Sequence, residues 1–404
     1  MKTNALSLIL IPLLTCFSLS PKAQAVSPPP DGGYGPPNYG TGNTAEGEEA
    51  LLNLGNGNFN TATGFRTLFS TTTGNFNTAI GAGALFNNTG DQNTATGAGA
   101  LLSNTSGRFN TANGEAALFF NMDGIQNTAT GAGALESNTT GDYNTASGVN
   151  ALTSNTDGAR NTANGINALR RNTTGGFNAA DGANALGNNT TGNLNTALGS
   201  SALSNNSTGS GNIAIGFDAG NAVSTADNVI CIGSNVDGAN VNNSCYIGSI
   251  FGRISSGGSA VLVNSNGRLG TMTSSRRFKE DIKPLDKASE ALLLLKPVSF
   301  RYKKEVDPEG TNAVQFGLVA EDVEKVNRDL IVRDKEGKPY SVRYDQVNAM
   351  LLNEFLKEHK TVQQQGQTIA RLEKQLEAVT ATLQKVSAQL ELNKPAPQTV
   401  LNNQ

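Results

Sequence analysis

The sequence of 404 residues has no tryptophan and a single histidine, His359. A Ser-His-Asp triad, a zinc site with several histidines or a histidine-paired cysteine nucleophile would each have to be built around that one residue. Most of the common catalytic designs are therefore excluded. Charge is also scarce, since 16% of the residues are charged and the net charge is −3. No basic field predicts binding to nucleic acid, and no motif indicates a metal or a cofactor.

Long apolar runs are confined to the N terminus. Lys2, the apolar run 5–19 and the small residues of Ala23-Gln24-Ala25 are typical of a cleavable export signal over residues 1–25. We therefore expect a secreted, extracellular or cell-surface protein without a transmembrane segment in the mature chain. That chain keeps Cys231 and Cys245, and the sequence leaves open whether they form a disulfide.

Composition divides the remaining chain into five segments. Residues 26–42 are rich in proline and glycine and predict a linker. Residues 43–250 are rich in asparagine and glycine and poor in charge, whereas most of the 30 lysines and arginines lie after residue 275. We expect a repeat domain over 43–250, a connector over 251–273, a second domain over 274–392 and a disordered tail over 393–404.

The repeat has a period of 17 residues, with one unit of 16. Alanine follows each repeated asparagine after two places, glycine after four, and leucine after eight in every unit but the last. The alternation over the first five places is the period of a β-strand, and the fixed glycine predicts a bend. The pattern predicts a parallel β-solenoid with an asparagine ladder between coils. The repeated asparagines are Asn43, Asn60, Asn77, Asn93, Asn110, Asn127, Asn144, Asn161, Asn178, Asn195 and Asn212.

This repeat resembles the left-handed β-roll heads of trimeric autotransporter adhesins, although its period is longer than those heads usually show. The resemblance implies an adhesive, trimeric fibre. Threonine after most of the asparagines suggests ice binding, but the position two places further on is too variable to supply a second threonine column. That variable position is the best candidate for a ligand-facing surface. It identifies no ligand, and a surface glycan or another cell-surface molecule remains open.

A distinct motif opens the second domain. The run Ser274-Ser275-Arg276-Arg277-Phe278-Lys279-Glu280-Asp281-Ile282 is followed by a Phe-Gly-Leu-Val-Ala-Glu segment at 316–321 and by Tyr-Asp-Gln-Val at 344–347. In this order the three motifs resemble the endosialidase-type intramolecular chaperone domain, a self-cleaving domain at the C terminus of trimeric fibres. The resemblance implies that this segment assists trimerisation and folding and then cuts itself off.

Site residues follow from this resemblance. It assigns Ser274 as the nucleophile, Lys279 as the general base and Thr273–Ser274 as the cleaved bond. A lysine amine serves as a base when burial or a neighbouring cation such as Arg277 favours its neutral form. Ser275 stands where the family usually has aspartate, so it remains a rival nucleophile. Without the resemblance, the two serines are also compatible with a plain polar linker.

The second domain is predicted to be α+β and to end in a long helix with a coiled-coil seam from about residue 369. β-Branched residues at two d positions disfavour a parallel dimer and are consistent with a trimer. The a positions are Ile369, Leu376, Leu383 and Leu390, and the d positions are Leu372, Val379 and Val386.

These patterns together predict a secreted homotrimeric fibre that cleaves itself once, and they indicate no external substrate. One alternative is an uncleaved surface protein with a permanent trimeric stem. A second alternative is a solenoid enzyme that acts on polysaccharide. The repeat gives this last function little support, because its acidic residues Glu115, Asp123, Glu136 and Asp142 are scattered over different positions of the coil.

Overall fold

The computed structural model describes residues 42–306 and 311–393. The predicted signal peptide, the linker up to residue 41 and the tail from residue 394 lie outside the described residues. The chain divides into two compact units between Ile254 and Ser255. In the parts of the chain that are described, no helix has both the length and the apolar character to cross a membrane.

The first unit contains a parallel sheet of 13 three-residue strands, each paired with the next in chain order. Equivalent residues of successive coils face one another, as Ala129 faces Ala146 between β6 and β7. The predicted parallel β-solenoid with coils of about 17 residues is thereby confirmed. The strands are β1 Thr44–Glu46, β2 Thr61–Thr63, β3 Thr78–Ile80, β4 Thr94–Thr96, β5 Thr111–Asn113, β6 Thr128–Thr130, β7 Thr145–Ser147, β8 Thr162–Asn164, β9 Ala179–Asp181, β10 Thr196–Leu198, β11 Ile213–Ile215, β12 Ile230–Ile232 and β13 Cys245–Ile247.

The apolar core of the solenoid is a narrow stack of alanine and leucine. In a coil such as 127–143, Ala129 points inward from the strand, while the threonines on either side of it are exposed. Ala134 and Leu135 are also fully buried. Each coil buries its apolar side chains only against the coils above and below, so the array is stabilised by stacking.

Polar groups in this interior are satisfied by the predicted asparagine ladder. The side-chain oxygen of Asn127 accepts a hydrogen bond of 2.9 Å from the backbone N–H of Asn144 in the next coil. The side-chain amide of Asn127 donates to the carbonyl of Gly141 at 2.8 Å. The same contacts recur along the stack, so the buried amides keep their hydrogen bonds and hold the coils in register.

A second buried ladder lies where the sequence indicates only a return turn. The amide of Asn138 donates to the side-chain oxygen of Asn121 at 2.8 Å, and Asn155 donates to Asn138 at 2.7 Å. These residues belong to the Asn-Thr-Thr-Gly segments and their relatives. The turn is present, but its asparagine points into the coil. The ladder ends at Thr71, whose buried hydroxyl has no hydrogen-bond partner among the described residues.

The fixed glycine allows the coils to stack closely. Gly131 has φ of 129°, and a Cβ built there would lie 2.5 Å from the carbonyl oxygen of Gly148 in the next coil. No other residue type fits such a contact. The chain also adopts left-handed φ at larger residues in every coil, including Leu135 at 53°. Such residues are unfavourable in isolation, which again makes each coil dependent on its neighbours.

Cys231 and Cys245 are both free. Cys231 is aligned with Tyr246 across β12 and β13, whereas Cys245 is aligned with Ile230. The two thiols therefore point to opposite faces of the sheet, since successive side chains alternate along a strand. Burial raises the pKa of the Cys231 thiol, as expected for an inert interior cysteine.

The second unit is α+β, as predicted. Three antiparallel strand pairs are joined by short 3-10 helices and by helix α1, and the unit ends in the long helix α2. The paired strands are β14 Val261–Val263 with β15 Leu269–Thr271, β16 Val298–Phe300 with β17 Gln315–Gly317, and β18 Ile331–Arg333 with β19 Pro339–Val342. The helices are the 3-10 segments Arg276–Phe278, Asp286–Leu294 and Arg328–Leu330, and the α-helices α1 Ala320–Val326 and α2 Tyr344–Leu392.

The core of this unit is small. Its buried cluster consists of Val323, Leu330, Ile331, Val342 and Met350. Along the rest of α2 the seam side chains are all exposed in the single chain. Exposed apolar side chains at a heptad spacing mark a surface that is normally covered.

Candidate functional site

The predicted catalytic segment lies between strand β15 and the 3-10 helix Arg276–Phe278. Ser275 precedes this helix in an extended conformation and its side chain makes no capping bond. The N–H of Phe278 donates to the Ser275 carbonyl at 3.0 Å, and that of Lys279 donates to Arg276 at 3.1 Å. This single tight turn folds the chain back, so that residue 279 comes close to residue 274.

Ser274 and Lys279 are in direct contact. The ammonium group Nζ of Lys279 donates a hydrogen bond of 3.0 Å to Oγ of Ser274. This distance suits proton transfer between a hydroxyl nucleophile and an amine base. Both side chains are exposed in the single chain, as is Thr273. The contact places the two predicted catalytic groups together but leaves their activity a prediction.

Arg277 and Ser275 occupy other positions. The guanidinium of Arg277 lies 4.6 Å from the ring centroid of Phe278, an arrangement typical of a cation–π contact. The predicted supporting residue is thus stacked on an aromatic ring. Ser275, the rival nucleophile, is exposed at the start of the turn.

A second serine–lysine contact lies inside the unit. Ser289 is fully buried; it donates to Oε1 of Glu354 at 2.5 Å and accepts from Nδ2 of Asn353 at 2.7 Å. Nζ of Lys357 lies 3.4 Å from the same hydroxyl. Hydrogen bonds from Lys357 and Ser289 lower the pKa of the Glu354 carboxyl. The cluster joins the 3-10 helix 286–294 to α2. Because the Ser289 hydroxyl is buried, it is unsuited to hydrolysis of a peptide bond.

The other two motifs of the second unit also meet. The hydroxyl of Tyr344 accepts a hydrogen bond of 2.9 Å from the N–H of Leu318. A Cβ at Gly317 would lie 2.8 Å from that hydroxyl. The glycine therefore makes room for the tyrosine, and the contact joins the end of β17 to the first turn of α2. The sequence order of the motifs predicts neither contact.

The solenoid offers a candidate binding surface rather than a catalytic one. The variable position of the strand is exposed in the coils, as predicted from the alternation. Within residues 42–306 and 311–393, no group of three histidine, cysteine or acidic side chains is arranged to hold a metal ion. A second exposed column lies one residue before each asparagine of the first ladder, and the sequence analysis does not predict it as a binding surface. Its signal is the recurrence of aromatic residues at that position.

Comparison with known proteins finds a match for part of the second unit. Residues 274–332 match the family model described as the chaperone of endosialidase. The match starts at Ser274, the first member of the serine–lysine pair, and ends within β18. Comparisons with the curated proteins and with the solved structures returned no match. The predicted resemblance is confirmed, and the chain joins a parallel β-solenoid to a region of the chaperone-of-endosialidase family.

Proposed function

We infer that this protein is a secreted, homotrimeric surface fibre whose C-terminal unit assembles three chains and then cleaves itself before Ser274. The solenoid and the chaperone-of-endosialidase region fit a trimeric fibre protein with an intramolecular chaperone. The observation that carries the cleavage step is the hydrogen bond between Lys279 and Ser274, located at the first residue of the family match.

The repeat explains the need for a chaperone. Its coils are nearly identical, so chains shifted by one coil would associate almost as well as aligned ones. A C-terminal trimer that forms first sets the alignment before the solenoid winds. Removal of that trimer after folding leaves the fibre kinetically trapped, because the element that guided winding is gone.

The exposed seam of α2 supplies the trimer contact. Leucine, isoleucine and valine recur at alternating spacings of three and four residues and are about half to two-thirds exposed in one chain. Three parallel copies of α2 would cover this seam as a coiled coil. Assembly would also cover exposed groups elsewhere in the unit, including Phe316.

Cleavage proceeds in two chemical steps. Oγ of Ser274 attacks the carbonyl carbon of Thr273, while an uncharged Lys279 accepts the hydroxyl proton and passes it to the departing amide nitrogen of Ser274. The peptide bond is replaced by an ester between Thr273 and Oγ of Ser274. Water then hydrolyses that ester, which frees the carboxylate of Thr273 and restores the hydroxyl.

Denaturing electrophoresis of the full chain and of three variants tests this function. The wild type should give two fragments, and N-terminal sequencing of the smaller one should begin at Ser274. Ser274→Ala and Lys279→Met should each leave a single full-length band, whereas Ser275→Ala should still be cut. Cleavage that persists in Ser274→Ala but is lost in Ser275→Ala would move the nucleophile to Ser275.

An uncleaved fibre is the second candidate, favoured by serine in place of the usual aspartate at position 275. In that case the wild type runs as one full-length band, and the mass in solution still corresponds to three chains. A monomeric mass for the wild type would contradict both candidates.

A further inference from the structure

A column of exposed side chains follows one corner of the solenoid, one residue before each asparagine of the first ladder; we call it the corner stripe. From Phe76 to Phe177, over seven successive coils, aromatic residues occupy every second position and flat polar groups stand between them; the stretch is preceded by Phe59 and followed by Leu194. The aromatic members of this stretch are Phe76, Phe109, Tyr143 and Phe177, each about half exposed. The polar members are Gln92, Gln126 and Arg160.

The fold does not need aromatic residues at this corner. Phe109, Tyr143 and Phe177 have φ of 59°, a left-handed conformation that is costly for a bulky side chain. In the last coils the same corner is formed by Gly211 and Asn228, residue types that adopt it readily. Residues that keep a strained backbone conformation where glycine or asparagine would fit without strain are typical of functional surfaces.

The stripe is held at a fixed spacing. The N–H of Tyr143 donates to the carbonyl of Ile125 at 3.0 Å, and that of Phe177 donates to Ala159 at 3.0 Å, each in the preceding coil. Because coils advance by about 4.8 Å, alternate rings stand roughly 9.6 Å apart. The guanidinium of Arg160 fills one interval, 5.5 Å from the ring of Tyr143 and 5.1 Å from that of Phe177.

Hydroxyl groups run beside the rings, and charge is nearly absent. Two residues after most corner positions lies a threonine of the strand, exposed at Thr111, Thr128 and Thr145; after Phe177 the residue is Ala179. Arg160 is the single charged residue among the seven members of the stripe from Phe76 to Phe177. A surface of rings, amides and hydroxyls that carries a single guanidinium complements a neutral ligand with apolar faces and many hydroxyl groups.

We propose that the corner stripe binds a neutral, extended β-1,4-linked polysaccharide along the solenoid axis. In such a chain successive sugars are turned over, and the repeat of two sugars is close to the spacing of alternate rings. Every second sugar then stacks its apolar face on an aromatic ring, while the amides, Arg160 and the threonines contact its hydroxyl groups. This inference rests on the proposed function as a surface fibre and names the class of ligand that the fibre holds.

Binding of the full chain to insoluble cellulose and chitin tests the proposal. The stripe variant is Phe109→Asn, Tyr143→Asn and Phe177→Asn together; asparagine is the residue that the chain itself uses at this corner in later coils, so folding should be retained. The matched control is Val149→Asn, Ile166→Asn and Phe217→Asn, which removes three other exposed apolar side chains. Insoluble starch, an α-linked glucan of different geometry, serves as the ligand control.

The wild type and the control variant should bind cellulose or chitin alike, and the stripe variant should bind at least about tenfold more weakly. Equal loss in both variants, absence of wild-type binding or equal binding to starch would overturn the proposal. A fall in oligomer mass in the stripe variant would instead assign the stripe to contact between copies of the chain. Ser274→Ala should bind like the wild type, so that failure of cleavage and failure of binding are read separately.

Discussion

The solenoid completes its interior within one chain, whereas the C-terminal unit does not. In the solenoid, alanine, leucine and two asparagine ladders are buried and their polar groups are paired from coil to coil. In the C-terminal unit only a small cluster around Val323 and Met350 is buried, and the seam of α2 is open to solvent. Repetition covers the interior of the first region, whereas the second exposes an apolar seam of the kind that association of chains covers.

The two regions therefore divide the work of assembly. A region that closes on itself in small local steps has no means of choosing its alignment with other chains. Under the proposed function, a region that is incomplete alone forms its core only when copies meet, and it then selects one alignment. Four substitutions test this contrast.

Leu376→Asp should abolish the trimer. Leu376 lies at the centre of the seam and is exposed in one chain. Three carboxylates facing each other inside a coiled coil would be desolvated without partners, which weakens association by a factor on the order of a hundred or more. Mass in solution provides the measurement. Ala381→Asp, on the opposite side of the helix, is the control and should remain trimeric; loss of the trimer in both would refute the seam.

Gly131→Ala should destabilise the solenoid strongly. The added methyl group would overlap the carbonyl of Gly148, at a backbone conformation that costs a further 1–3 kcal/mol or so for a residue other than glycine. A fall of the thermal midpoint by several degrees is expected, followed by circular dichroism. At Gly83 the nearest atom to an added Cβ is 3.6 Å away, and Ala116 already occupies the same coil position. Because Gly83 has a left-handed φ of 68°, Gly83→Ala should lower the midpoint somewhat but clearly less than Gly131→Ala, which adds a steric overlap; equal loss would contradict the argument.

Asn138→Ala should cost about 2–3 kcal/mol, because it leaves the side-chain oxygen of Asn121 without its partner and removes one of the two hydrogen bonds of the Asn155 amide, which keeps its bond to Gly158. The exposed Asn87 offers the control, and Asn87→Ala should stay within about 0.5 kcal/mol of the wild type. Chemical denaturation measures both. A near-neutral Asn138→Ala would show that the second ladder is dispensable.

Thr71→Val should stabilise the protein by about 1 kcal/mol, since it replaces an unpaired buried hydroxyl with a methyl group of similar shape. The effect is expected in the same denaturation experiment. A destabilised variant would indicate that the hydroxyl has a favourable interaction, and the end of the ladder would need another explanation.

Much of the solenoid follows from local patterning. Asn127, Ala129 and Gly131 recur with a strand period and a fixed bend, so parallel strands and the first ladder are predictable. The buried position of Asn138 in the second ladder is not predictable, because a segment rich in Asn, Thr and Gly is equally typical of an exposed turn. Its inward direction depends on how the whole coil closes.

The candidate catalytic pair is also predictable only in part from the sequence. The spacing of Ser274 and Lys279 and their family resemblance are visible in the sequence. The tight turn at 276–278 then brings the two side chains to hydrogen-bond distance. The sequence predicts that Arg277 assists the lysine, and this role stays a prediction; the structure adds that its guanidinium stacks on Phe278. Side-chain direction within a turn depends on its dihedral angles, which residue spacing does not specify.

The sequence by itself determined the repeat, its strand period, the boundary between the two compositions and the family of the C-terminal region. These features depend on interactions between residues close in the chain or on recurring residue types. Only the tertiary structure decided that a second asparagine ladder is buried, that aromatic rings line one corner, and that the seam of α2 has no partner among the described residues of its own chain. Each of these depends on where a closed coil or a packed helix directs side chains, and that is a property of the whole fold.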